Sequence, residues 1–264
     1  MMKTCVLNNG QNRQSGPGLG SELDFQSVEF PSVLKLMPMV NFNIYPGITS
    51  SICAYTDEAR ETVLKSYQGD RLVALFALKS LNVDPKDLRK DDFFSVGVAA
   101  EILSVTEQDN GRLKANIVGV KRILLVECVN GDIPQVVTRP APVEVWDEKT
   151  LSPLVREVRR LYTGFLSYHQ GKPADPFMVD HLMEEEPTKL ADLIMSTLPI
   201  KKEKKIEFLL IENIVDRFQK VLEHLNWELS DREAAAAIGK RVEESLSRQD
   251  RESRLREQIK AIRV

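Results

Sequence analysis

Histidine is scarce in this chain. His169, His181 and His224 are the only three, each in a segment of helical texture and none with a second histidine at ligand spacing. Each reads as a satisfied or solvent-facing side chain rather than a ligand or catalytic base. The three cysteines, Cys5, Cys53 and Cys128, are odd in number and far apart, which excludes a disulfide framework and a zinc spacing. Such usage fits a reducing, cytoplasmic setting. No run of 18 apolar residues occurs, so no membrane-spanning helix and no membrane partner are expected. Residues 1–27 lack the apolar stretch of a signal peptide. Charge of one sign is also missing: 36 Lys and Arg stand against 39 Asp and Glu, a net charge of −3. That balance argues against bulk nucleic acid as the main partner.

The usual catalytic signatures are missing too. The pairs Gly171-Lys172 and Gly239-Lys240 are followed by Pro173 and Arg241, so neither ends a phosphate-cradling loop. Around the serines there is no G-x-S-x-G elbow. The acidic run Glu184–Glu186 reads as a solvated helix end before Pro187, since adjacent carboxylates on a helix diverge. By elimination the chain is a binding or assembly module that uses no cofactor and no metal.

What is present suits a globular chain with a real core: 42 % hydrophobic and 28 % charged residues. Strand texture begins at Val33. The pattern predicts strands over Val33–Val40, Phe42–Tyr45, Thr49–Ala54, Arg71–Leu78, Val96–Thr106 and Leu113–Val120, then Ile123–Cys128 and Gln135–Arg139. Asp109-Asn110-Gly111 is a hairpin signal. One helix interrupts the strands, with Thr56 as N-cap, Asp57 and Glu58 in its first turn, and Gly69 at its end. Beyond Trp146 the period becomes helical: Leu151–Tyr168, Pro173–Met183, Thr188–Ser196, Lys201–Leu210 and a long final segment over 213–264. As one helix that last segment would be roughly 78 Å long at about 1.5 Å per residue. Its first half carries an apolar stripe. Its second half has acid-first pairs at i,i+4, such as Asp250 with Arg254 and Glu252 with Arg256, and no such stripe.

Several segments resemble one family in register. VLKLMPMVNFNIYPG (33–47) is similar to the opening strand region of the amino-terminal domain of Lon proteases. Phe94-Ser-Val-Gly97 with Ala99-Ala-Glu-Ile102 resembles that family's Val-Gly strand entry, and GRLKANIVGVKRI (111–123) its Asp-Gly hairpin and Val-x-Gly-x-x-Arg strand. LADLIMSTLPIK, within 189–202, resembles its Leu-Ala-Asp-x-Ile…Leu-Pro-Leu-Lys helix and turn. Leu255-Arg-Glu-Gln-Ile-Lys-Ala-Ile262 resembles the lead into its ATPase module.

The resemblance implies an α+β fold: a PUA-like, β-rich pseudo-barrel, then an α-helical bundle and a long C-terminal helix. The corresponding division is a flexible tail over 1–30, the β subdomain over 31–145, the bundle over 146–212 and the connecting helix over 213–264. It implies a non-catalytic region that selects unfolded or damaged proteins and supports assembly with other Lon-type subunits into a hexamer. The nucleotide site and the Ser-Lys proteolytic dyad of that family fall outside these residues. For substrate contact, Ile48 and Ile52 share one face of a strand and Leu113 lies beside the hairpin, so these three are the expected apolar patch, and Ile52→Asp is expected to weaken binding without unfolding the domain. Arg248, Arg254, Arg256 and Gln258 are expected on an inter-subunit helix. The alternative from a different class is a standalone PUA-like protein that binds nucleic acid or regulates, through Lys114, Lys121, Arg122 and Arg139. Those basic residues lack nearby stacking aromatics, which favours a solvated surface.

Overall fold

The computed structural model describes residues 31–80, 83, 87–108, 112–142, 146–170 and 185–262. The expected tail over 1–30, the hairpin tip at 109–111 and the helix over 173–183 lie outside these residues. The chain forms two compact units, one comprising the residues up to Thr150 with Glu185–Arg217, the other Leu151–Glu184 with Phe218–Val264.

In the first unit six strands form one sheet: β1 (Val33–Met39), β2 (Thr49–Ala54), β3 (Leu72–Ala77), β4 (Val96–Glu107), β5 (Leu113–Val129) and β6 (Gln135–Pro140). Their order is β2-β5-β4-β3-β1-β6, with β5 also paired to β6. That extra pairing closes β5-β4-β3-β1-β6 into a ring, and β2 hangs on the first half of β5 alone. Bulges in the β4–β5 ladder near Ala99 and Ile102, and in the β5–β6 ladder near Leu125, supply the bend that closure needs. Inside the ring lie Leu34, Leu36, Phe76, Phe93, Ile123 and Leu125, all under 5 % exposed. Burying such side chains contributes about 1.5–3 kcal/mol each.

Helix α1 (Asp57–Gln68) starts where the sequence places it: the Thr56 hydroxyl accepts from the Ala59 amide at 3.2 Å, and Gly69 caps its end. Two close backbone approaches explain two glycines. A Cβ on Gly97 would sit 2.4 Å from the Leu75 carbonyl oxygen. A Cβ on Gly119 would sit 2.1 Å from that of Tyr45, because the turn at Pro46-Gly47 crosses β5 there and is tied by Gly47 N–H to Gly119 O at 2.8 Å.

The predicted strand at Phe42–Tyr45 does not form. These residues pair with no strand, and Phe42, Ile44 and Tyr45 are buried. The segment binds helices instead: α3 (Pro187–Thr197) and α4 (Lys202–Leu209). Tyr45 meets the Phe208 ring edge-on at 5.7 Å and its hydroxyl donates to Lys205 O at 2.9 Å. A second difference is that Leu113–Val120 and Ile123–Cys128 are parts of a single strand, β5.

In the second unit, the part of α2 (Glu148–Gln170) from Leu151 onward stands with the part of α5 (Ile214–Ile262) from Phe218 onward. Tyr162 and Phe165 stack at 5.9 Å, and the Arg232 guanidinium lies 4.7 Å above the Phe165 ring. On α5 the buried positions Phe218, Val221, Leu225 and Glu228 repeat at helical spacing. Over 233–243 the described side chains are exposed, with Ile238 at 61 % and Val242 at 52 %. Gly239 lies within this stretch, and a Cβ there would meet nothing within 4 Å. Gly239→Ala is therefore expected to stabilise the helix by up to about 1 kcal/mol, read as slower amide exchange around residue 239.

Candidate functional site

The first unit contains a buried charged cluster. Arg122 projects from β5, and its two terminal nitrogens donate to the two carboxylate oxygens of Asp192 on α3 at 2.7 and 2.6 Å. Arg217, in the first turn of α5, places a guanidinium nitrogen 3.7 Å from the same carboxylate. The three side chains are 11, 1 and 0 % exposed. Burial pushes the Asp192 carboxyl up, and the Arg122 guanidinium opposes that push. Burial, reinforced by the like charge of Arg122, pushes Arg217 down to about 9.

A second polar tie lies on the same helices. Lys205 donates to Asn43 Oδ1 at 2.9 Å and Ser196 O at 3.0 Å, and burial lowers its pKa. Together these groups fasten α3 and α4 to β5 and to the 42–45 segment. A pocket of about 280 Å³ opens beside Arg122 and Arg217, walled by Val96, Leu124, Leu209 and Ile214. It is at the small end for a small-molecule site, roughly 300–1,000 Å³. Its two arginines share Asp192 inside the cluster, and Glu212 also lines the pocket, so acidic groups accompany both cations. What this arrangement does chemically is hold a scaffold together. Among the described residues no three His, Cys, Asp or Glu side chains gather as a metal set, and no helix is long and apolar enough to cross a membrane.

The expected patch is placed differently from its reading as a surface. Ile52 and Leu113 are each 4 % exposed and belong to the core; Ile48 is half-buried. Alternation along β2 is as the sequence indicates, but the face carrying Ser50, Ile52 and Ala54 is the inner one. Ile52→Asp would put a carboxylate into that interior, so the expected outcome becomes loss of the folded state, visible in far-UV circular dichroism. Arg122, read as part of a solvated basic surface, is instead held in the ion pair, whereas Lys114 and Arg139 are exposed. Arg248, Arg254, Arg256 and Gln258 fall within α5, and their side chains lie outside the described ones.

Sequence reasoning missed Asp192, although a signal existed: it is a charge on the apolar face of Leu190-Ala191-Asp192-Leu193-Ile194. It also missed the exposed Tyr55, 68 % accessible at the end of β2, whose ring lies 5.0 Å from the Arg112 guanidinium.

Comparison with known proteins places this architecture. The chain is 27 % identical over 233 residues to Lon protease of Bacillus thuringiensis, covering 88 % of this chain and 29 % of that one. It is 25 % identical over 240 residues to Lon protease 1 of Bacillus subtilis, covering 89 % and 30 %. It thus spans less than a third of the length of these relatives. The solved amino-terminal domain of the Mycobacterium avium complex Lon protease superposes with a TM-score of 0.60 at 17 % identity, over 74 % of this chain and 98 % of that one, a likeness of fold. The family model described as the ATP-dependent protease La (LON) substrate-binding domain matches residues 33–227, a span that contains the ring, β2, the two helices fastened to it and the Arg122–Asp192–Arg217 cluster. On that match the chain belongs to the family of Lon substrate-binding domains.

Proposed function

We propose that this chain is the non-catalytic substrate-recognition and oligomer-assembly region of a Lon-type ATP-dependent serine protease, and that it binds unfolded or degron-bearing proteins for degradation. The observation that carries the reading is the family match over 33–227. ATP hydrolysis and peptide cleavage are not assigned to these residues, which lack a phosphate loop and in which the Ser-Lys dyad of that family has no counterpart. No cofactor is required for binding. The setting is the cytoplasm, in keeping with free Cys53 and Cys128 thiols.

Assembly is assigned to the distal part of α5. A helix polar on nearly every side gains only about 0.2–0.5 kcal/mol from each i,i+4 pair, so it needs neighbours to be firmly ordered. Exposed Trp227, Ile238 and Val242 give such neighbours apolar footholds. The nucleic-acid alternative is weakened by the loss of Arg122 to an internal ion pair.

Titration against salt tests the reading. The full chain is mixed with fluorescein-labelled, reduced and carboxymethylated α-lactalbumin, and separately with a labelled DNA duplex. Binding to the polypeptide that varies little with salt is expected. Binding to DNA alone, falling steeply as salt rises, would overturn the reading in favour of the nucleic-acid class.

A further inference from the structure

The ring of strands has no edge of its own, so the open edge of the sheet among the described residues is β2. Native proteins blunt an open edge with a charge, a proline or a bulge, because its unpaired backbone groups are a template for another chain. Thr49–Ala54 reads TSSICA and has none of these. Its register against β5 runs without a shift from Thr49 opposite Val118 to Ala54 opposite Leu113.

The ladder itself identifies the groups that face outward. Gly119 N–H donates to Ile48 O at 3.0 Å, which puts 48 and 119 on the bonded phase of the ladder, although the Ile48 N–H itself turns to Tyr45 O at 3.2 Å. Such pairs alternate along an antiparallel ladder, so 50, 52 and 54 bond to β5, and Thr49, Ser51 and Cys53 turn their N–H and C=O groups to the open side. The strand is also held in place. Ser51 Oγ donates to Asn116 Oδ1 at 2.7 Å, and Asn116 Nδ2 donates to Ser104 Oγ at 3.0 Å, a polar chain across β2, β5 and β4.

We propose that the β2 edge binds an extended segment of client polypeptide by main-chain pairing, the client lying as an added strand along Thr49, Ser51 and Cys53. This rests on the reading of the chain as a binder of unfolded protein and names the site. Main-chain pairing suits a client defined by lack of fold. A folded protein keeps nearly all of its buried backbone groups paired, whereas an unfolded one offers an N–H and a C=O at almost every residue, whatever its side chains. Tyr55, directly after the strand, is an exposed aromatic whose ring lies 5.0 Å from the Arg112 guanidinium. A second copy of this chain is the poorer occupant. Two six-residue edges pairing about a dyad would bury on the order of a few hundred Å², short of the roughly 1,200 Å² of a stable interface.

Ser51→Pro deletes one outward N–H and the hydroxyl's bond to Asn116 but leaves the backbone bonds to β5, a position where an edge strand tolerates proline. Ser51→Ala keeps that N–H and loses only the hydroxyl. With the full chain and the labelled carboxymethylated α-lactalbumin, Ser51→Pro is expected to weaken binding about tenfold or more, and Ser51→Ala less than about twofold. Amide exchange followed by NMR on the unsubstituted chain gives a readout that needs no variant. The amides of Thr49, Ser51 and Cys53 should exchange fast in the free chain and slow by about tenfold or more when the probe saturates it. A folded Ser51→Pro with unchanged affinity, or bound probe with those three amides unaltered, would overturn the site while leaving the binding function standing. Absence of any binding by the unsubstituted chain would instead overturn the function on which it rests. Protection of the same amides without probe, together with a doubled mass, would make a second copy the occupant and overturn the proposal.

Discussion

Replacing Asp192 with alanine should destabilise the first unit by about 3–5 kcal/mol, the cost of removing one partner from a buried ion pair. The carboxylate is 1 % exposed and faces two guanidinium groups, one bidentate at 2.6 and 2.7 Å and one at 3.7 Å. Without it, Arg122 and Arg217 remain as neighbouring like charges inside the protein. Urea unfolding followed by circular dichroism would show a lowered midpoint which, multiplied by the m-value, gives a loss of that size. A combined variant with Arg122→Met, Asp192→Leu and Arg217→Met should recover most of the loss, because an apolar replacement removes the desolvation penalty along with the attraction. A loss under about 1 kcal/mol for Asp192→Ala would mean that the cluster is screened by solvent.

Gly119→Ala should be as damaging for a different reason. The added methyl would lie 2.1 Å from the Tyr45 carbonyl oxygen and 2.8 Å from its carbon, both backbone atoms that a rotamer change cannot move. The turn must then lift away from β5, forfeiting the bonds Gly47 N–H to Gly119 O and Gly119 N–H to Ile48 O. Overpacking costs about 1–3 kcal/mol and more where the atoms met are rigid backbone, and each lost hydrogen bond adds about 1 kcal/mol. Low refolding yield and a lowered urea midpoint are expected. Gly164→Ala is the matched control, since a Cβ at Gly164 meets nothing within 4 Å. Equal midpoints for Gly119→Ala and Gly164→Ala would show that the turn does not cross β5 at that residue.

These two residues also show how far the sequence was legible. The Gly-x-x-Arg of the β5 motif and the Leu-Ala-Asp of the α3 motif were recognisable as text, but their meaning is spatial. Gly119 admits the turn, and three residues on Arg122 reaches the Asp of the other motif, 70 positions away in the chain. No periodicity links residues so distant. Local signals did well where they act locally, as with the Thr56 cap and the bounds of β2 at Thr49–Ala54. They failed where tertiary contacts decide. Phe42–Tyr45 has strand composition but gives its backbone to no ladder, because its side chains are claimed by α3 and α4. β5 reads as two strands because it changes partners midway, from β2 and β4 to β4 and β6. The alternation of β2 was legible, yet alternation cannot say which face looks inward. That is why Ile52 reads as surface and is core.

If the chain selects polypeptide for lack of fold, as proposed, two states of one protein should separate in fluorescence anisotropy with the full chain: α-lactalbumin native with disulfides intact, and α-lactalbumin unfolded by reduction and carboxymethylation. Saturable, micromolar or weaker binding to the unfolded state and none to the native one is expected, since a single narrow edge offers limited contact. Equal affinity for both states, or binding confined to the native protein, would contradict it.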